Sequence, residues 1–257
     1  MIAGLARDLT RLILPNACVV CGQAGSPDLS DHAQLLCRLC RSRLQPLVGG
    51  CRRCAQPLPV VGPCRFCAEW DSLAAAHSAV WLDPPARRMV HGLKYAGTRA
   101  LARAMATVIQ RHVPRPDGVL VPVPLGARRL AARGYNQALL LAAALGAAWD
   151  LPVEAGLIRR IRDTRTQTAL DPAARLTNVT GAFGVGAEAA TRVGKGGDAT
   201  VILIDDVLTT GATLLAAAVA LRASGCGRVR AVTFARAEPW VRRITDGIHQ
   251  TSKWGMT

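Results

Sequence analysis

A chain of 257 residues with 50 % apolar side chains can bury a real core, as one large or two moderate domains, which excludes an intrinsically disordered protein. Its formal net charge of +15 comes from 32 Lys and Arg against 17 Asp and Glu, and only Lys94, Lys195 and Lys253 are lysines. Such a surface attracts nucleic acid or polyanionic metabolites without selecting between them; a coding preference for arginine and alanine accounts for the composition equally well.

Residues 1–15 carry Ile2, Leu5, Leu9, Leu12 and Ile13 on one helical face, interrupted by Arg7, Asp8 and Arg11. That interruption leaves no apolar run of signal-peptide length, and no later stretch reaches the ~20 apolar residues that cross a bilayer, so a cytoplasmic chain is expected.

Eight of the nine cysteines then fall into four Cys-x-x-Cys pairs: Cys18 and Cys21, Cys37 and Cys40, Cys51 and Cys54, Cys64 and Cys67. Two intervening residues put both sulfurs on one side of a tight turn, the arrangement that suits tetrahedral zinc at ~2.3 Å per sulfur. Four pairs imply two structural zincs in a double zinc ribbon. The competing readings are a disulfide framework, disfavoured in a reducing compartment, and redox dithiols, which would not need extra copies. Sequential pairing, with the first two pairs on one metal and the last two on the other, fits the first gap better than interleaving, which stays open. The segment is too short and too rich in Pro, Gly and Arg to pack a core of its own, so metal would supply ~10 kcal/mol or more of folding free energy per site. Cys226 stands alone and reads as a buried small side chain.

After Cys67 the composition changes. Residues 75–82 alternate as a first strand, and Pro84 opens a short helix through residue 88. The passage from His91 to Gly97 leads into an amphipathic helix over 99–112. Residues 119–124, VLVPVP, read as a buried strand ended by its prolines, followed by a basic turn with Arg128, Arg129 and Arg133. Residues 134–137 open an alanine- and leucine-rich helix, and 152–158 suit a strand. Residues 159–181 are polar and irregular, 184–197 look like an insertion, 229–235 form another strand, and the chain beyond Pro239 reads as a loose tail. The expected division is 1–72 for the amino-terminal helix and zinc ribbon, 73–240 for an α/β domain, and 241–257 for the tail.

The most informative stretch is TVILIDDVLTTGAT, residues 200–213. Val201, Ile202, Leu203 and Ile204 read as a buried strand that Asp205 and Asp206 stop at its carboxyl end. Thr209, Thr210, Gly211, Ala212 and Thr213 follow, and residues 214–224 are a helix closed by Gly225. Unpaired N–H groups at a helix amino terminus favour a phosphate, and a glycine there lets the loop wrap it closely. The acidic pair would repel the same phosphate; its partners are a sugar diol or a hard divalent cation. A ligand with phosphate at one end and a diol in the middle is ribose 5-phosphate, although a capped helix after an ordinary strand is the simpler alternative. Strands alternating with helices give a parallel α/β sheet, whose ligands sit at the strands' carboxyl ends. There Arg128 and Arg129, with Arg133, would meet a pyrophosphate or else form a solvated face.

The loop resembles the phosphoribosyl pyrophosphate motif of type I phosphoribosyltransferases. With the cysteine pairs, the Leu-Lys-Tyr-Ala-Gly element at Leu93 to Gly97, VPVPL at Val121 to Leu125, RGYNQ at Arg133 to Gln137 and RTQTALDPAARLTNVTGAF over 165–183, the chain is similar to the ComF/GntX family. The glycine- and alanine-rich stretch over 184–197 departs from that pattern. The resemblance implies a phosphoribosyltransferase-like domain behind a zinc-binding segment. It also implies phosphoribosyl pyrophosphate bound with magnesium, the 5-phosphate in the loop from Thr209 to Thr213, the ribose hydroxyls on Asp205 and Asp206, and a lid over 159–178. It further implies a role in DNA uptake or repair, with single-stranded DNA and a DNA-uptake helicase as partners.

Two function classes follow. In one, the protein is a transferase that moves the phosphoribosyl group to an acceptor the sequence does not identify. In the other, the site only senses the ligand or a nucleotide, while the basic surface holds DNA. Purine-salvage relatives place a carboxylate where this chain has Thr209, which cannot act as a base near pH 7, so a purine acceptor is not expected.

Overall fold

The computed structural model describes residues 17–23, 35–57, 63–64, 66–68, 70–162, 180–186 and 200–237. The predicted helical face over 1–15, most of the predicted lid (163–178), most of the predicted insertion (187–197) and the tail lie outside these residues.

Four parallel strands organise the fold: β1 (Ala75–Trp81), β2 (Val119–Pro122), β5 (Val201–Leu208) and β6 (Val229–Arg236), in the spatial order β1-β6-β5-β2. β5 is central and reads as a continuous apolar run because both of its faces are covered. Ile202 and Ile204 enter one layer with Leu120, Val232 and Phe234; Val201 and Leu203 enter the other with Val121, Val229 and Ala231. The first layer is closed by α3 (Leu101–His112) and α5 (Gln137–Trp149), whose Met105, Ile109, Leu141 and Leu145 are fully buried. The second is closed by α6 (Ala212–Ala223) through Leu214, Ala217 and Leu221, next to a two-stranded antiparallel ribbon of β3 (Ile158–Arg160) and β4 (Phe183–Val185). This is the expected parallel α/β architecture.

The amino-terminal cysteine segment, which holds the short helix α1 (Arg38–Ser42), covers the sheet's β1 edge. Leu47 N–H donates to Ala79 O at 3.0 Å, Trp81 N–H to Gln45 O at 2.9 Å, and Ala76 N–H to Arg53 O at 2.8 Å. An otherwise bare edge strand is thereby paired, which removes a template for intermolecular strand addition.

Four expectations need correction. The strand through the acidic pair does not stop there: Asp205, Val207 and Leu208 keep their register with Thr233, Ala235 and Arg236, because a carboxylate that finds partners does not break a backbone ladder. The helix starting at Pro84 runs to Tyr95 as α2 (Pro84–Tyr95), capped by Asp83, whose Oδ1 accepts from Ala86 N–H at 2.9 Å. Its apolar face of Ala86, Met89, Val90 and Leu93 continues past Gly92, where a Cβ would stand 2.7 Å from Leu101 Cδ1, so close helix contact explains the glycine.

The basic turn after β2 is a helix, α4 (Ala127–Arg133), ended by Gly134 at φ 77°. None of its residues is buried, so it carries no apolar periodicity to read. Finally, of 152–158 only Val153 bridges to Leu120 while Ile158 opens β3, and Arg159, Arg160, Gly184 and Val185, assigned to a lid and an insertion, belong to the β3–β4 ribbon. Three-residue strands are too short to display a period of two.

Candidate functional site: a cavity at the strand ends and two four-cysteine clusters

A cavity of about 710 Å³ opens over the carboxyl ends of β5 and β2. β5 contributes Asp205 and Asp206, the loop and start of α6 contribute Thr209, Gly211, Ala212 and Thr213, α4 contributes Arg129 and Arg133, and α2 contributes Arg87, His91, Lys94 and Tyr95. That volume lies within the range of small-molecule sites, and the position is the one that parallel sheets reserve for ligands.

The two neighbouring aspartates do different work. Asp206 is 1 % exposed; Lys94 Nζ lies 2.6 Å from its Oδ2, and Gln137 Nε2 donates to its Oδ1 at 3.3 Å. Burial opposes its charge, but Lys94 and the hydrogen bonds outweigh that and hold its carboxyl below the ordinary range. Lys94 responds reciprocally: burial disfavours its ammonium, and the Asp206 and Asp205 carboxylates more than compensate. Asp205 is half-buried at the cavity wall, and its Oδ1 accepts the neighbouring backbone N–H of Asp206, at 2.8 Å. Burial, and then the charge of Asp206, push it up to about 8. Asp205 is therefore a carboxyl that gains from a hydroxyl donor or a cation, whereas Asp206 is already satisfied.

The loop from Thr209 to Thr213 turns at Gly211, whose φ of +82° lies in the left-handed region that favours glycine. No side chain of the N-cap position caps α6, and Ala212 N–H has a long bond of 3.4 Å to Thr210 Oγ1. The amino end of a twelve-residue helix, with its positive dipole end, thus faces the cavity. Arg129, which also lines the cavity, has its Nη2 buried without a hydrogen-bond partner among the described residues. Arg133 donates through Nη1 to Gln137 Oε1 and stacks over Tyr95 at 5.5 Å, extending the polar chain to Gln137, Asp206 and Lys94.

Of the predicted site residues, the structure brings Asp205, Asp206, Thr209, Gly211, Ala212, Thr213 and Arg129 to one cavity. Arg128 is exposed on α4, and neither it nor Thr210 lines the cavity. Sequence reasoning did not assign Lys94, Gln137, Tyr95 or Arg160 to the site. Lys94 and Gln137 lie inside the two short motifs at Leu93 to Gly97 and Arg133 to Gln137, which was the available signal; nothing local marks Arg160.

The cysteines form two separate clusters: Cys18, Cys21, Cys37 and Cys40, and Cys51, Cys54, Cys64 and Cys67, with the sulfurs of each within 4.8 Å of one another. Pairing is therefore sequential. The Sγ–Sγ separations of 3.8 Å (Cys21 and Cys37), 3.7 Å (Cys51 and Cys67) and 3.6 Å (Cys54 and Cys64) match the edge of a tetrahedron about 3.8 Å long that Zn–S bonds of ~2.3 Å produce. They far exceed the ~2.05 Å of a disulfide. Cys37 N–H reaches Cys18 Sγ and Cys40 N–H reaches Cys37 Sγ, both at 3.4 Å, as donors to thiolate ligands do. At Cys18 burial opposes the thiolate, yet backbone donors prevail and bring it down to about 6. Each cluster could hold a zinc ion. Cys226 is buried, outside both.

Residues 95–246 match the model of the phosphoribosyl transferase domain. The chain is 30 % identical over 237 residues to the DNA utilization protein YhgH of Salmonella typhi, covering 85 % of this chain and 96 % of that protein. It is also 30 % identical over 232 residues to competence protein ComFC of Bacillus subtilis (81 % and 89 %). With competence protein F of Haemophilus influenzae it shares 28 % over 209 residues (78 % and 84 %). Among the described residues, no helix is long and apolar enough to cross a membrane.

Proposed function

Because this chain belongs to the ComF family and carries a phosphoribosyl transferase domain, we propose that its cavity binds phosphoribosyl pyrophosphate together with magnesium. The observation that carries this reading is that one cavity gathers three kinds of group: the helix start after Gly211 for the 5-phosphate, Asp205 for the ribose diol, and Arg133 with the buried Arg129 Nη2, which has no hydrogen-bond partner among the described residues, for the pyrophosphate. Two anion sites and a carboxyl group in one cavity match a sugar that carries phosphates at two positions.

Magnesium would enter with the ligand's own oxygens, and the hard donor the protein offers it is the Asp205 carboxylate. Bound there, it would draw charge from the pyrophosphate. Arg129 and Arg133 would neutralise the same group as the bond from the anomeric carbon lengthens, and Lys94 would keep Asp206 charged and fixed. Thr209 offers no base, so an acceptor would bring its own nucleophile. Turnover with hypoxanthine, guanine or adenine should stay at background, and formation of a purine mononucleotide, lost in Asp205→Asn, would overturn that part. Calorimetry with phosphoribosyl pyrophosphate and magnesium tests the binding itself.

A second reading is supported by the net charge of +15 and by relatives named for DNA utilization and competence: the chain also holds single-stranded DNA, with the cavity acting as a sensor. Pyrophosphate release over a panel of amines and nucleobases, measured beside DNA binding, separates transferase from sensor. The two cysteine clusters are proposed to hold structural zinc in either case.

A further inference from the structure

The second cysteine cluster and the Thr-Gly loop share a floor. Trp70 follows Cys67 by three residues, is 2 % exposed, and lies directly under Gly211: a Cβ on that glycine would stand 3.1 Å from Trp70 Cζ2. The indole is held from the cluster side. The backbone N–H of Trp70 donates to Cys67 O at 3.3 Å, the same carbonyl that accepts from Arg53 Nη1 at 3.0 Å, and Phe66 meets the indole edge-on at 5.4 Å between centroids.

A second link reaches the loop's other shoulder. Arg236, 1 % exposed at the end of β6, pairs in register with Leu208, the last strand residue before Thr209. Its guanidinium donates to Cys54 O, donates to Gln56 Oε1 at 2.6 Å and stacks on Phe66 at 4.3 Å. A zinc held by four thiolates carries two net negative charges, so a buried guanidinium beside that cluster is electrostatically matched. The loop from Leu208 to Gly211 is therefore braced twice by residues that contact the second cysteine segment, whereas Arg129 and Arg133 are carried by a different element, α4.

We propose that Trp70 is a positioning residue for the Thr209 to Thr213 loop, held beneath Gly211 by the second four-cysteine cluster, so that the phosphate-loop end of the cavity depends on that cluster and the arginine end does not. This deepens the ligand assignment above and rests on it. A static floor is needed because a loop that wraps a phosphate with backbone N–H groups loses its fit on displacements of about 1 Å.

The test compares two probes by calorimetry on the full-length protein, ribose 5-phosphate for the loop and inorganic pyrophosphate with magnesium for the arginines. Trp70→Ala should weaken ribose 5-phosphate at least about tenfold and leave pyrophosphate within about twofold, with zinc content kept; Cys64→Ser should show the same selective loss. Trp70→Phe, which keeps a ring beneath Gly211, should fall between wild type and Trp70→Ala, and decides the matter if Trp70→Ala does not fold. Equal weakening of both probes would mean that Trp70 only supports the fold, and unchanged ribose 5-phosphate affinity would remove its role; either overturns the inference. Wild-type protein that binds pyrophosphate but not ribose 5-phosphate would instead overturn the loop assignment beneath it.

Discussion

Asp205 and Asp206 show how one residue's difference in environment divides a motif. Asp206 points to Lys94 and Gln137 in a closed network, and Asp205 meets the cavity with its carboxyl pushed up to about 8. A ligand that needs the Asp205 carboxylate must displace its proton, so affinity for the magnesium complex should rise by up to about tenfold per pH unit from pH 6.5 to 7.5. In Asp205→Asn that dependence should vanish; a flat wild-type profile would contradict the assignment. The linkage also acts on the free protein. The folded state holds this proton more tightly than the unfolded chain, so through this group stability falls as pH rises from about 4 to about 8. Lys94 is different. Lys94→Met leaves a carboxylate buried without its cation and should cost about 3 to 5 kcal/mol in a denaturation experiment. Adding Asp206→Asn should restore part of that loss, and a double variant no better than the single would refute the pairing. Because Asp206 is engaged in this way, replacing both aspartates confounds binding with stability, and Asp205→Asn alone is the cleaner probe.

Among the elements, those with strong patterns were legible. The alternation over 75–82, the apolar run from Val201 to Ile204 and the helix after Gly211 stand where periodicity puts them. The misreadings have a common physical origin. α4 has no buried residue, the β3–β4 ribbon has three residues per strand, and α2 hides its continuation behind a glycine that packs against Leu101, so none presents a clean period. The cavity was legible in part: a strand, acidic pair and Thr-Gly turn carry their chemistry in local order. Lys94, Gln137 and Trp70 reach the site, or its floor, only through the tertiary fold. The cysteine spacing resolved into two sequential clusters, each with the sulfur spacing of a tetrahedral site. Purified protein should contain about two zinc equivalents. Cys18→Ser combined with Cys37→Ser should keep about one, since both residues belong to the same cluster; loss of both metals at unchanged fold would argue for interleaved ligands.

For the whole molecule, the chain carries an excess of basic charge, and its sheet has the β1 edge closed by the cysteine segment. If that surface holds single-stranded DNA, log affinity should fall linearly with log salt, by a slope of about 0.7 per neutralised phosphate. Binding that ignores salt, or that is absent at low salt, would remove DNA as a partner. The central claim concerns the cavity. Its most direct test is titration of the purified protein with phosphoribosyl pyrophosphate in the presence of magnesium, followed by the same titration of Asp205→Asn. The account predicts saturable binding with one ligand per chain, weakened at least about tenfold in the variant, whose zinc content and melting temperature stay close to those of wild type. No heat of binding in the wild type, or equal affinity in the two proteins, would contradict it.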